Sequence, residues 1–70
     1  MIPISVRVDF DVNGSMIPLH YYCDGICVRI DRIISVIDSG INIEYKCRCK
    51  DNYKRILFTH SKWYLIDSKE

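Results

Sequence analysis

Four cysteines in 70 residues, spaced Cys23-x3-Cys27 and Cys47-x-Cys49, are the side chains of this chain best suited to hold a metal. Structural zinc sites use C-x2-4-C turns that aim both thiolates into one pocket. In the strand register set out below, Cys23 faces the core and Cys27, beside Tyr22, faces the opposite side, so the first pair cannot share an ion. Cys47 and Cys49 share a face, with Cys47 flanked by Tyr45 and Ile56. The expectation is four free thiols behaving as small hydrophobes, with no metal and no cofactor. A structural zinc protein is kept as an alternative, and disulfides would require an oxidising compartment that nothing in the chain indicates.

Nucleophilic catalysis needs a thiol or hydroxyl within reach of a base, and the chain offers only His20 and His60 as bases of suitable pKa. His20 falls on the outer face near Arg7 and Arg29, and arginine only donates hydrogen bonds, so neither can orient it as an acceptor would. His60 stands at a strand end near Trp63. Asp9 and Asp11 share an outer face, but a solvated strand surface does not supply the desolvating cleft that acid–base work requires. No nucleophile elbow, phosphate-binding loop, dinucleotide fingerprint or zinc-protease motif is present. No enzyme is expected and no catalytic residue is assigned.

Two surfaces remain for binding. Residues 1–41 carry three cations against five anions, whereas residues 42–62 carry Lys46, Arg48, Lys50, Lys54, Arg55 and Lys62 against Glu44 and Asp51. Lys46, Arg48 and Lys50 project from the outer face of one strand with Arg55 across from Arg48, and like charges facing each other repel unless an anion relieves them. Lys54, Lys62 and the turn residue Tyr53 extend this patch into a candidate nucleic-acid surface, although basic edges also serve solubility. The second surface is apolar. Leu57 and Ile66 pair on the outer face, with Tyr64 beside Thr59 and with Tyr22 and Cys27 forming a further patch, which points to protein contact or a homodimer.

The elements that position these groups follow from three turn signals, Asn13-Gly14, Asp24-Gly25 and Ser39-Gly40, which cut the chain into alternating runs. Across the first turn, Ile4/Cys23, Val6/Tyr21, Val8/Leu19 and Phe10/Ile17 fall on one face. Across the second, Cys23/Ile26, Tyr21/Val28 and Leu19/Ile30 join the same face. The next inward position would be Arg32, with Ile33 outward, so a bulge or sharp bend near Asp31-Arg32-Ile33 is expected, and Pro18 opposite Asp31 agrees with it because it cannot donate a ladder bond. Beyond the bend, Ser39-Gly40 pairs Val36 with Ile43 and Ile34 with Tyr45. Asp51-Asn52 then pairs Cys47 with Ile56 and Tyr45 with Phe58, and Trp63 to Ile66 forms a last strand. A helix over Ile30 to Ile37 is disfavoured by its β-branched crowding.

The sequence therefore predicts an all-β fold: a six-stranded antiparallel meander curling into a small SH3-like or partly open barrel, with a bent or bulged third strand. Residues 1–70 make one small β-barrel domain, with only Asp67 to Glu70 expected to fray. So short a chain buries only about 60% of its unfolded surface, so a partner surface is a natural support. No apolar run approaches the about 18 residues of a membrane span, and Met1 to Arg7 lack a basic leader with an apolar core, which leads to the expectation of a cytoplasmic protein with no membrane contact.

The central residues Leu19, Tyr21, Cys23, Gly25, Val28 and Ile30-Asp31-Arg32-Ile33, followed by Tyr45-Lys46-Cys47-Arg48, Leu57-Phe58 and Trp63, resemble a group of small uncharacterised all-β bacterial proteins. These carry the pattern Gly-x-x-apolar-x-Ile-Asp-Arg-apolar. Two departures stand out: Cys23 where the group tends to have a large aromatic, and a shorter segment before the Tyr-x-Cys run. The resemblance implies a fold and no activity. The function expected from the chain is a small non-enzymatic binding module acting through an unidentified protein partner or self-association, with nucleic-acid binding as the alternative.

Overall fold

The computed structural model describes residues 1–66 of the 70; the expected fraying of Asp67 to Glu70 lies outside the described residues. Seven strands form one antiparallel sheet: β1 (Ile2–Phe10), β2 (Met16–Cys23), β3 (Ile26–Arg29), β4 (Arg32–Asp38), β5 (Asn42–Cys49), β6 (Asn52–Thr59) and β7 (Lys62–Ile66). Their order across the sheet is β3-β2-β1-β7-β6-β5-β4, and the sheet curls into a half-barrel. No helix long and apolar enough to cross a membrane occurs among the described residues.

The expected bend of a third strand is a complete break, which makes seven strands rather than six. The chain leaves β3 at one edge of the sheet and enters β4 at the other edge through Ile30 and Asp31 alone. The Ile30 N–H donates to the Leu19 carbonyl at 2.9 Å and the Asp31 N–H donates to the Arg48 carbonyl at 2.9 Å. Successive residues thus bond to opposite edges of the half-barrel, and the open slot between the edges is pinched at this corner. The expected irregularity in β4 falls at Ile34, where the pairing with β5 shifts, and Ile33 points inward to pack against the core rather than outward.

The first hairpin also departs from the simplest register. Its loop has three residues, Val12-Asn13-Gly14, with the Gly14 N–H donating to the Asp11 carbonyl and Gly14 at φ +84°, the left-handed position this loop reserves for glycine. The Asp11 carboxylate fastens it by accepting from the N–H groups of Asn13 and Ser15. The register therefore lags by one until a bulge at Leu19 restores it, so Val6 faces Tyr21 as expected while Val8 faces Pro18 and Phe10 faces Met16. Pro18 becomes fully buried, and Phe10, Ile17 and Leu19 are exposed. Proline is tolerated there because β3 ends opposite His20 and the last bond on that side reaches only Leu19, which leaves Pro18 without a strand neighbour there.

The β2–β3 pairing is as expected, Cys23 with Ile26 and Tyr21 with Val28, around Asp24 and Gly25 with φ of 51° and 78°, as a type I′ turn demands. The later turns sit one residue away from their expected places. The β4–β5 loop is Gly40-Ile41, so Val36 faces Tyr45 and Asp38 faces Ile43. The β5–β6 loop is Lys50-Asp51, so Tyr45 faces Ile56 and Cys47 faces Lys54. A shift of two residues leaves the β5 and β6 side chains on their predicted faces. The core is nevertheless smaller than predicted, because Phe10, Ile17, Leu19, Ile26, Ile34 and Val36, all expected inward, are exposed. It consists of Tyr21, Ile30, Tyr45, Cys47, Cys49 and Ile56, with Ile4, Val6, Val28 and Leu65 against it. The Trp63 ring packs at a tilt against two others, its centroid 4.8 Å from that of Phe58 and 5.7 Å from that of Tyr45.

Candidate functional site

Asp31 organises the polar end of the half-barrel. Its carboxylate accepts the Lys50 backbone N–H at 2.7 Å and lies 3.7 Å from the Arg29 guanidinium. These contacts tie the β3–β4 corner to the β5–β6 turn, where Lys50 holds φ at 58°. Lys50 is thus a turn residue and not an outward member of β5, and its carbonyl accepts from Arg48 Nε at 3.1 Å.

The expected basic patch is divided by the true register. Arg55 lies across from Lys46 rather than Arg48, and its guanidinium pairs with Glu44 at 3.2 Å. Lys54 lies across from Cys47 on the concave face, and Lys62 sits at the far end of the sheet across from Thr59. What remains together on the convex face is Arg48, Lys46 and Tyr53, with Tyr53 in a strand across from Arg48 and not in a turn. Lys46 Nζ stands 5.6 Å from the centre of the exposed Tyr53 ring. Arg32, which no patch of the sequence included, directly faces Arg48.

The expected apolar patch is likewise rearranged. Leu57 faces Tyr64, and Ile66 faces Arg55. Leu57, Tyr64 and Ile66 are each half-buried, and Tyr22 with Cys27 sits in the separate β2–β3 hairpin. The larger apolar exposure is at the sheet edge. Ile34, Val36, Ile37 and Ile41 are 42%, 51%, 62% and 71% exposed, and β4 hydrogen-bonds to β5 alone, so its other side presents unpaired backbone groups. The sequence signal was the run Ile33-Ile34-Ser35-Val36-Ile37, which reads as core; only the sheet order reveals it as an edge.

The slot between the edges opens into a cleft on each side of the pinched corner. One, about 500 Å³, lies between β4 and the β1–β2 loop, lined by Val36, Asp38, Ile43 and Tyr45, whose hydroxyl donates to the Met16 carbonyl at 3.2 Å. The other, about 510 Å³, lies between β3 and the β5–β6 turn, with Tyr21, Val28 and Cys49 among its lining and Arg29, Lys50 and Lys54 at its rim.

All four cysteines are free: Cys47 and Cys49 buried, Cys23 half-buried and Cys27 exposed. Burial pushes the Cys47 thiol up to about 12, with Cys49 adding to the effect. Burial likewise raises Cys49, an effect that Asp31 reinforces and Lys54 opposes. No three His, Cys, Asp or Glu side chains converge on a metal position among the described residues. His20 lies between Arg7 and Arg29 as expected, and its Nδ1 is buried without a partner among the described residues. His60 and Ser61 form the β6–β7 turn, with φ of 51° and 63°. No family model, curated protein or solved structure matches the chain.

Proposed function

We propose that the protein is a small non-enzymatic binding domain whose contact surface is the open β4 edge, and that the surface pairs with β4 of a second copy. The observation that carries this reading is the composition of an unpaired edge. From Arg32 to Asp38 β4 holds four large β-branched residues and no lysine or proline, the residues that ordinarily guard an edge. Strand addition would satisfy its free N–H and carbonyl groups while covering Ile34, Val36 and Ile37.

Charge favours a second copy as the occupant. β4 begins with Arg32 and ends with Asp38, so antiparallel pairing of two identical strands sets the cationic end of each against the anionic end of the other. Such a contact is self-complementary, as a two-fold interface must be. A carboxylate near Arg32 would also relieve its repulsion with Arg48 across the strand. A core with six buried hydrophobic side chains among the described residues gains proportionally more from a partner than a larger one does.

Amide hydrogen exchange of dilute and concentrated samples tests this. Protection of the amides of Ile34 to Ile37 should rise with concentration while those of β6 stay constant; β4 protection independent of concentration would remove the edge from consideration.

A second reading rests on Tyr53, a flat exposed ring between Arg48 and Lys46, which is the arrangement of a single-strand stacking platform. Titration of a labelled random oligonucleotide at low salt tests it, and retention of binding after Tyr53→Ala would count against it. One ring with three cations, Arg55 being paired to Glu44, supports it less than the edge supports self-association.

A further inference from the structure

We propose that the cleft between β3 and the β5–β6 turn is a binding site for a small organic anion with an aromatic or otherwise apolar body. The cleft is about 510 Å³, within the range of small-ligand sites. Its chemistry is divided. Tyr21, Ile26, Val28 and Cys49 supply apolar surface, and Arg29 and Lys54 supply positive charge.

Two features distinguish it from an accidental gap. Tyr21 is 3% exposed, and its hydroxyl, which makes no hydrogen bond to protein among the described residues, keeps contact with solvent. Tyr21 lines the cleft, so a ligand oxygen there can accept from this hydroxyl in place of water. Burial holds this phenol above its ordinary pKa, as do the neighbouring thiols of Cys49, Cys23 and Cys47, so it stays protonated and can donate. The second feature is Lys54, an inward-facing cation on the concave side of the sheet, across from the buried Cys47 and in no ion pair among the described residues. Asp31, the one carboxylate of the lining, already holds Lys50 N–H and Arg29, so the net charge offered to a ligand is positive. The geometry fits an apolar body against Val28 and Tyr21, with its acidic group between Lys54 and Arg29.

The test uses anilinonaphthalene sulfonate, an aromatic anion, beside its uncharged analogue phenylnaphthylamine. The anion should bind saturably with one site per chain, and its amide NMR shifts should centre on Tyr21, Val28, Cys49 and Lys54. Affinity should fall about tenfold in Lys54→Ala, the loss of one charge-assisted contact, and less in Tyr21→Phe, while the uncharged analogue binds native protein and Lys54→Ala alike. Arg29→Ala, at an exposed site, keeps the test open should Lys54→Ala fail to fold. Val36→Lys, which disrupts the proposed dimer edge, should leave this binding unchanged, so failure of one proposal does not carry the other with it. Shifts confined to Ile34, Val36 and Ile37, or equal binding of both dyes to native protein and to Lys54→Ala, would overturn the proposal.

Discussion

The Lys50 backbone N–H donates to the Asp31 carboxylate at 2.7 Å, and through this bond the corner between β3 and β4 is fastened to the turn between β5 and β6. Both proposed sites depend on it. The corner decides where the slot of the half-barrel is pinched, and so where the cleft opens beside the end of the free β4 edge.

Removing that acceptor should therefore loosen both. Asp31→Ala is expected to lower unfolding free energy by about 0.5–1.5 kcal/mol, the net worth of a hydrogen bond at an exposed turn where water can take over the donor. Asp31→Asn, which keeps an oxygen in place, should cost less than half as much. Urea denaturation of the three proteins checks the order, and equal losses for both variants would show that the carboxylate acts by charge alone.

The thiols should divide by burial. Cys27 is exposed and should react with an aromatic disulfide at neutral pH in the folded protein, whereas Cys47, fully buried and pushed up to about 12, should react only after unfolding. The same shift sets a pH dependence. Because the folded protein holds Cys47 protonated where the unfolded chain would release the proton, its contribution is fully present below about pH 9 and is lost as pH rises toward 12. Stability in urea should be flat from neutral pH to the unfolded thiol range and then fall by up to about 1.4 kcal/mol per pH unit from this group. The raised Cys49, Tyr21 and Tyr45 act in the same direction.

The His60-Ser61 turn holds two non-glycine residues in the left-handed region. Replacing them with the preferred pair for this turn, His60→Asn with Ser61→Gly, should raise stability by about 0.5–1 kcal/mol by relieving that strain. Thermal unfolding measures it. A loss instead would assign a structural role to the 3.1 Å contact between Thr59 Oγ1 and His60 Nδ1.

The sequence is legible wherever alternation alone decides. Tyr21, Tyr45, Cys47 and Ile56 face the core as their two-residue period requires, and Asp24-Gly25 turns where its dipeptide says. Partners are less legible, because a loop of three residues and a loop of two read alike until a bulge elsewhere corrects the register. Leu19 is that bulge in the first hairpin, and the irregularity at Ile34 changes the alternation of β4 ahead of a two-residue loop. The candidate surfaces suffered most. Lys54 and Arg55 adjoin in the chain but occupy opposite faces, which divides the basic patch. The exposure of Val36 and Ile37 arises from the non-local pairing of β1 with β7, which closes the middle of the sheet and leaves β4 outside.

The most direct test of the β4 edge as the contact surface is sedimentation equilibrium of the native chain and of Val36→Lys over a wide concentration range, with circular dichroism to verify the fold. A concentration-dependent dimer in the native protein, shifted to monomer in a folded Val36→Lys, is the predicted result. A native chain that remains monomeric at the highest concentration, or a dimer that Val36→Lys leaves intact, would contradict it.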